Sequence, residues 1–232
     1  MSTPAFTLHT SFSPLLSLYD AFLLDQFGVI HNGSQSLHGA VDCIKTMVAQ
    51  KKKLAILSNT SSPSHVALNR LKKYGGLSGD MFAGGLVSSG EECAKFIREN
   101  YCNNEDGSKA KKALWFTWKE SESQNPMQFL SYCESGDAAG DGNFSDGRGV
   151  IDIAESVEEA DFILLHGSEV WRRCRETNDN CIQDLHFLYE EDYTIIDQVL
   201  ERSSELGLQM VCANPDYTVG LPGGVVGNMP GE

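Results

Sequence analysis

The residue best placed to do chemistry is Asp25. It closes a short apolar run, Ala21-Phe-Leu-Leu, and is followed by Gln26-Phe27-Gly28-Val29. A carboxylate in that position can attack phosphorus and form an acyl phosphate. It can also hold Mg²⁺, which takes hard oxygen ligands, or it can simply cap a turn. Gly28 lets the backbone turn tightly and present amides to an anion. Ser58 and Asn59 follow a second apolar run, Leu54-Ala-Ile-Leu57. A hydroxyl with amides beside it suits a phosphate oxygen, and it suits a turn or a helix entry equally well. A third run, Gln209 to Ala213, leads into Asn214-Pro215-Asp216.

Those residues need a scaffold that brings strand ends together. Residues 20–101 read as strand, helix, strand, helix, strand, helix. Val41, Ile44, Met47 and Val48 recur at helical spacing. Ser62-Pro63 opens a helix that carries Leu68, Leu71 and Tyr74 and stops at Gly75-Gly76. Phe82 to Val87 is a short apolar segment. Ser89 with Glu92 reads as a capping box before a helix with Cys93, Phe96 and Ile97 inward. Such alternation predicts a parallel sheet with crossover helices. In an open parallel sheet, ligands bind at the carboxyl ends of the strands, where Asp25, Ser58 and Asp216 all fall.

Composition shifts after Tyr101. Residues 102–112 are polar and read as a boundary, and Ala113 to Trp118 begins a new apolar strand. Residues 134–149 read as a long exposed loop. Asp141-x-Asn143-x-Ser145 imitates a calcium loop, but Asp146 stands where the sharp turn wants Gly and Asp152 where a bidentate Glu belongs. Phe162 to Leu165 is a strand, Tyr193 to Leu206 a helix, and Gly220 to Glu232 holds no complete element. Trp115, Trp118 and Trp171 read as core.

The 232 residues carry a net charge of −14. That disfavours nucleic acid, whose binding rests on basic patches. The short cluster Lys51-Lys52-Lys53 reads as a solvated helix end. No apolar run is long enough to span a bilayer, so a soluble protein is expected. Seven cysteines, with no C-x-x-C pair, argue against a disulfide framework and a zinc site. The first cationic residue is Lys45, which does not fit a secretory or transit leader. A reducing, cytoplasmic setting is the expectation.

Phe22-Leu-Leu-Asp-Gln-Phe-Gly-Val-Ile-His-Asn-Gly33 resembles the first motif of the haloacid dehalogenase-like (HAD) hydrolases, and Leu54 to Thr60 resembles the second. The Gly-Val-x-x-x-Gly tail of the first and Ser58-Asn-Thr-Ser-Ser62 are similar to class IIA, the NagD-like and p-nitrophenyl-phosphatase-like branch. Met81 to Glu91 resembles that branch's third strand and helix, and Cys212-Ala-Asn-Pro-Asp216 its cap-exit segment.

The resemblance implies an α/β fold: a Rossmann-like parallel-sheet core, incomplete at the C-terminus, with an inserted α/β cap of the C2 type. The core's N-terminal part would be 1–101, the cap 102–213 and the return linker 214–232. It implies that Asp25 attacks phosphorus and that Phe27, Gly28, Ser58 and Asn59 bind the substrate phosphate. Asn214 and Asp216 would lie near the site at the cap exit. Mg²⁺ would be held by the Asp25 carboxylate and the Phe27 carbonyl. The substrate would be a small phosphorylated metabolite, and a homodimer would form through the cap.

Two departures bear on activity. The first motif is usually Asp-x-Asp, and here Phe27 replaces the second Asp, the general acid/base. Losing such a group costs about 10²–10⁴-fold. His31 is a titratable neighbour, although a loop histidine is more often solvated. The lysine and acidic residues of the third and fourth motifs do not follow Asp216, so a truncated chain without meaningful turnover is expected. The alternatives are a non-catalytic HAD-like protein that binds a phosphorylated ligand or a partner, and a truncated inactive product.

Overall fold

The structure is a computed structural model that describes residues 9–102, 109–121, 125–135, 151–176, 179–190, 192–220 and 226–229. The expected Gly/Asp-rich loop and its calcium-like stretch lie almost wholly outside those residues. The chain forms two compact units, one of residues 1–58 and 65–87, the other of 59–64 and 88–232.

The first unit is built on β1 (Ala21–Leu24), β2 (Lys53–Ser58) and β3 (Leu86–Ser88), in that order across the sheet. β1 and β2 run parallel, with Leu24 beside Ile56. Two helices, α2 (Ala40–Ala49) and α3 (Ser64–Arg70), follow a single turn, α1 (Ser13–Leu16). Side chains alternate across a strand. Leu24, Leu54, Ile56 and Leu86 therefore meet Ile44 and Met47 of α2 and Ala67, Leu71, Tyr74 and Leu77 in one core. The opposite side is open: Leu23 is 75% exposed and Leu57 57%. The strands read as buried are thus buried on one face, the face the helices cover.

The second unit holds a six-stranded sheet. β4 (Lys112–Thr117), β6 (Phe162–Leu165) and β9 (Gln209–Cys212) are parallel, and β5 (Asp152–Ile153) pairs with the start of β4. β7 (Val170–Arg172) and β8 (Ile182–Asp184) extend the other edge antiparallel. Both faces are covered. Ala113, Trp115, Phe162 and Leu164 pack with α4 (Ser89–Tyr101) and α5 (Pro126–Ser135). Leu114, Phe116, Ile163 and Trp171 pack with Leu185, Phe187 of α6 (Phe187–Glu190) and Val199 of α7 (Thr194–Leu206). Continuous burial along β4 is what two-sided cover of a parallel strand requires. Trp115, Trp118 and Trp171 are all buried, as expected of core residues.

Several local expectations shift. The N-cap of α4 is Ser88, whose hydroxyl accepts from the Glu91 amide. The cap lies one residue before Ser89 because β3 runs directly into the helix. Phe96 is exposed, since α4 turns Cys93, Ala94 and Ile97 inward. The stretch after Val219 does hold structure: β10 (Thr218–Gly220) pairs antiparallel with β11 (Val226–Asn228). Glycine-rich strands carry little period-two signal, which hid this hairpin. Cys174 and Cys181 form a disulfide, contrary to the expectation of thiols throughout.

Candidate active site

Asp25, Phe27, Gly28 and Ser58 gather in the first unit at the carboxyl ends of two paired parallel strands. Asp25 is the first residue beyond β1, and Ser58 is the last of β2. The Asp25 side chain is exposed, and its Oδ1 accepts the Gln26 amide at 2.7 Å. The loop beyond closes tightly. The Gln26 carbonyl accepts from the amides of Ile30 and His31 (2.8 and 3.1 Å), and the Gly28 amide donates to the His31 carbonyl at 2.8 Å. This turn needs Gly28 at φ +77°, a left-handed conformation that disfavours a Cβ. No backbone amide bonds the Phe27 carbonyl among the described residues. Phe27 is 53% exposed.

His31 is held rather than solvated. Its ring stacks on Tyr74, with centroids 4.0 Å apart and planes 12° apart. Its Nδ1 accepts the Gly33 amide at 3.0 Å. The Tyr74 hydroxyl donates to the Gly33 carbonyl at 2.9 Å, closing a small network. Burial, then the Lys73 charge, lower the His31 pKa from its ordinary value, and the Asp25 carboxylate acts the other way. Tyr74 reads from sequence only as a core helix position, and its role beneath His31 carries no sequence signal.

Asn59, Asn214 and Asp216 come together in the second unit. Asn59 Nδ2 donates to Asp216 Oδ1. The Asp216 amide donates to Asn214 Oδ1 at 3.0 Å, and Asn214 is buried. Ser89 fastens the same group, its hydroxyl reaching the carbonyls of Ala213 (2.6 Å) and Thr60 (3.1 Å). Gly90 permits the close approach, because a Cβ there would sit 2.1 Å from the Ser61 carbonyl oxygen. Ser89 reads from sequence only as a helix cap, and its bracing of the Ala213 segment carries no sequence signal.

The Asp25 carboxylate and the Phe27 carbonyl are the hard oxygens that would hold a divalent cation here. Among the described residues, no cluster of three or more acidic, histidine or cysteine ligands includes Asp25. Two protein oxygens are compatible with Mg²⁺, which usually keeps several waters and takes further oxygens from substrate phosphate. Among the described residues, no helix is long and apolar enough to cross a membrane.

An α/β unit with a carboxylate at the end of one parallel strand and a hydroxyl at the end of the next defines a site suited to phosphoryl chemistry. Residues 22–123 match the family model of haloacid dehalogenase-like hydrolases. The chain also has the fold of a HAD-family hydrolase from Brucella suis 1330, at 20% identity and a TM-score of 0.61, covering 97% of this chain and 67% of that one. A sugar phosphatase of the superfamily, described as possible, from Cytophaga hutchinsonii matches at 16% identity and TM-score 0.56, covering 97% and 65%. A 4-nitrophenylphosphatase from Thermotoga maritima matches at 17% and 0.50, covering 94% and 62%. No curated protein matches the sequence. The chain therefore spans about two thirds of the length of these structures. Residues 22–123 are thus similar to the HAD-like hydrolases, and the chain shares the fold of these structures.

Proposed function

We propose that this chain carries the nucleophile and the cap of a Mg²⁺-dependent phosphatase acting on a small phosphorylated metabolite. The observation that carries the reading is the exposed Asp25 carboxylate, set just beyond β1 beside the end of β2, where Ser58 stands. One Asp25 oxygen accepts the Gln26 amide, and the other is the one that attacks phosphorus. The carboxylate displaces the substrate's alcohol and takes the phosphoryl group as an aspartyl phosphate. Water then releases it as inorganic phosphate. Gly28 and Ser58 bind phosphate oxygens, and Asn59, Asn214 and Asp216 are held together within the second unit as its candidate substrate residues. Mg²⁺ on the Asp25 carboxylate and the Phe27 carbonyl would neutralise charge on the transferred group.

The core would run over 1–101, the cap over 102–213 and the return linker over 214–232. A phosphatase named for 4-nitrophenyl phosphate among the structural neighbours supports a small substrate. The net charge of −14 supports it too, since it disfavours anionic polymers. A cytoplasmic homodimer paired through the cap completes the reading, and light scattering of the purified protein tests the dimer.

A second reading rests on Phe27. With no proton-transfer group in that position, the site would bind phosphorylated ligands and turn them over poorly. Phosphate release from a metabolite panel with Mg²⁺, measured on the full-length gene product and its Asp25→Asn variant, separates the two. Release by the wild type that the variant loses supports the phosphatase. Equal inactivity of the two removes it and leaves the binding protein.

A further inference from the structure

We propose that Cys174 and Cys181 are a reversible dithiol–disulfide clip, a site of exchange with small-molecule disulfides of the glutathione class, which locks the arginine-rich β7–β8 hairpin. The two residues are seven positions apart, with Cα atoms 5.2 Å apart, and are joined in the structure. They sit at the mouth of the hairpin. Arg172 of β7 pairs with Ile182 of β8, and the Arg173 amide donates to the Cys181 carbonyl at 2.7 Å. The backbone ladder itself thus brings the sulfurs together.

The surroundings of Cys174 suit a reactive thiol. Arg172, Arg173 and Arg175 all lie within two positions of it, in a chain that is otherwise strongly acidic. Partial exposure lets a small disulfide reach Cys174, and the three arginines adjacent in sequence oppose the Glu176 carboxylate, which lies within 4.8 Å of both sulfurs. Cys174 is half-buried, and Cys181 lies behind it as the resolving partner. The other five cysteines are free and differ in kind. Burial pushes the thiols of Cys93 and Cys102 up to about 12 and that of Cys133 well above its ordinary value. Cys43 and Cys212 are also raised by burial. An oxidant of this class is therefore directed to one pair.

The exchange balances without further reagents. The Cys174 thiolate attacks one sulfur of the small disulfide and expels a thiolate. The Cys181 thiolate then attacks the Cys174 sulfur of the mixed disulfide and expels the second. Two protein thiols are oxidised to one disulfide, one small disulfide is reduced to two thiols, and both protein protons pass to the leaving thiolates.

Closing the clip has a structural consequence. Arg175, one residue beyond Cys174, pairs with Glu134 of α5 and donates to the Ile151 carbonyl. Glu134 is 1% exposed, and its Oε1 also accepts the Ile151 amide at 2.9 Å. The clip restricts the segment that delivers this guanidinium to a buried carboxylate, and reduction releases that restriction.

The test equilibrates the full chain in glutathione buffers of graded thiol-to-disulfide ratio, quenches with an alkylating agent and maps the peptides. Cys174 and Cys181 should gain and lose protection together across the series, while the other five cysteines stay thiols. Cys181→Ser should trap a mixed disulfide with glutathione on Cys174. Trypsin should cleave after Arg173 and Arg175 roughly tenfold faster in the reduced protein. A pair that stays in one state across the series would overturn the proposal. So would exchange at the buried cysteines instead, or equal tryptic rates in both states. Stoichiometric zinc uptake by reduced protein that blocks the exchange would make Cys174, Glu176 and Cys181 a metal site, and the clip would fail.

Discussion

His31 lies flat against Tyr74, with ring centroids 4.0 Å apart, and its Nδ1 accepts a backbone hydrogen from Gly33. Only a neutral imidazole can accept there, so the fold selects the uncharged form. Burial and Lys73 depress the His31 pKa, while Asp25 raises it. A nuclear magnetic resonance titration should therefore place the His31 midpoint below the ordinary histidine value. Asp25→Asn removes the opposing influence and should lower the midpoint further. A midpoint that rises in Asp25→Asn would mean that the carboxylate does not act on the ring.

His166 gives a stability prediction with a definite sign. It is buried, stacks on Phe129 at 4.0 Å and shares a 2.7 Å hydrogen bond with Thr117 Oγ1. Burial lowers its pKa from 6.5 to about 3. Between those values the unfolded chain binds a proton that the native state refuses. The stabilisation is whole above pH 6.5 and declines as pH falls toward 3, at about 1.4 kcal/mol per pH unit at most. Denaturant unfolding at stepped pH should show this slope in the wild type and a shallower one in His166→Gln. Equal slopes would mean that His166 is not the group responsible.

On the proposed reading Phe27 stands where an acid/base belongs, and it is half exposed, so a carboxylate is tolerated there sterically. Phe27→Asp should raise phosphatase turnover by about 10²–10⁴-fold. The gain should be larger for alkyl phosphates than for 4-nitrophenyl phosphate, whose leaving group is a weak base that needs little protonation. Steady-state rates on both substrates check this, and an unchanged ratio would deny Phe27 the position assigned to it.

Asn59 and Asp216 are bonded side chain to side chain across 157 positions of sequence. A double-mutant cycle with Asn59→Ala and Asp216→Ala should give a coupling of about 1–2 kcal/mol in unfolding free energy. Additive losses would show that the bond contributes nothing in solution.

Much of this was legible from residue pattern. β1, β2, β4, β6 and β9 stand out because four to six apolar residues end at polar ones, and α2 and α7 because their apolar residues follow a helical period. β7, β8 and the β10–β11 hairpin did not stand out. Val170-Trp-Arg172 and Val226-Gly-Asn228 are too short for a period to register. The positions of Asp25 and Ser58 at strand ends follow from where their apolar runs stop. The Tyr74 platform, the Ser89 brace and the Cys174–Cys181 pairing are contacts between segments far apart in space until the chain folds, or between residues with no motif around them. A single sequence has no term for these. The run Arg172-Arg173-Cys174-Arg175 was readable as charge, but its meaning depends on Glu134, 41 positions away from Arg175.

The central claim is that Asp25 takes the phosphoryl group. Acid-quenched peptide maps after exposure of the full-length gene product to 4-nitrophenyl phosphate and Mg²⁺ test it most directly. The leaving group departs without an acid, and Phe27 cannot activate the water that would clear the intermediate. The account therefore predicts a phosphoryl group on the Asp25 peptide, absent in Asp25→Asn. Phosphate release with no label on Asp25, or with the same label on the Asp25→Asn protein, would contradict it.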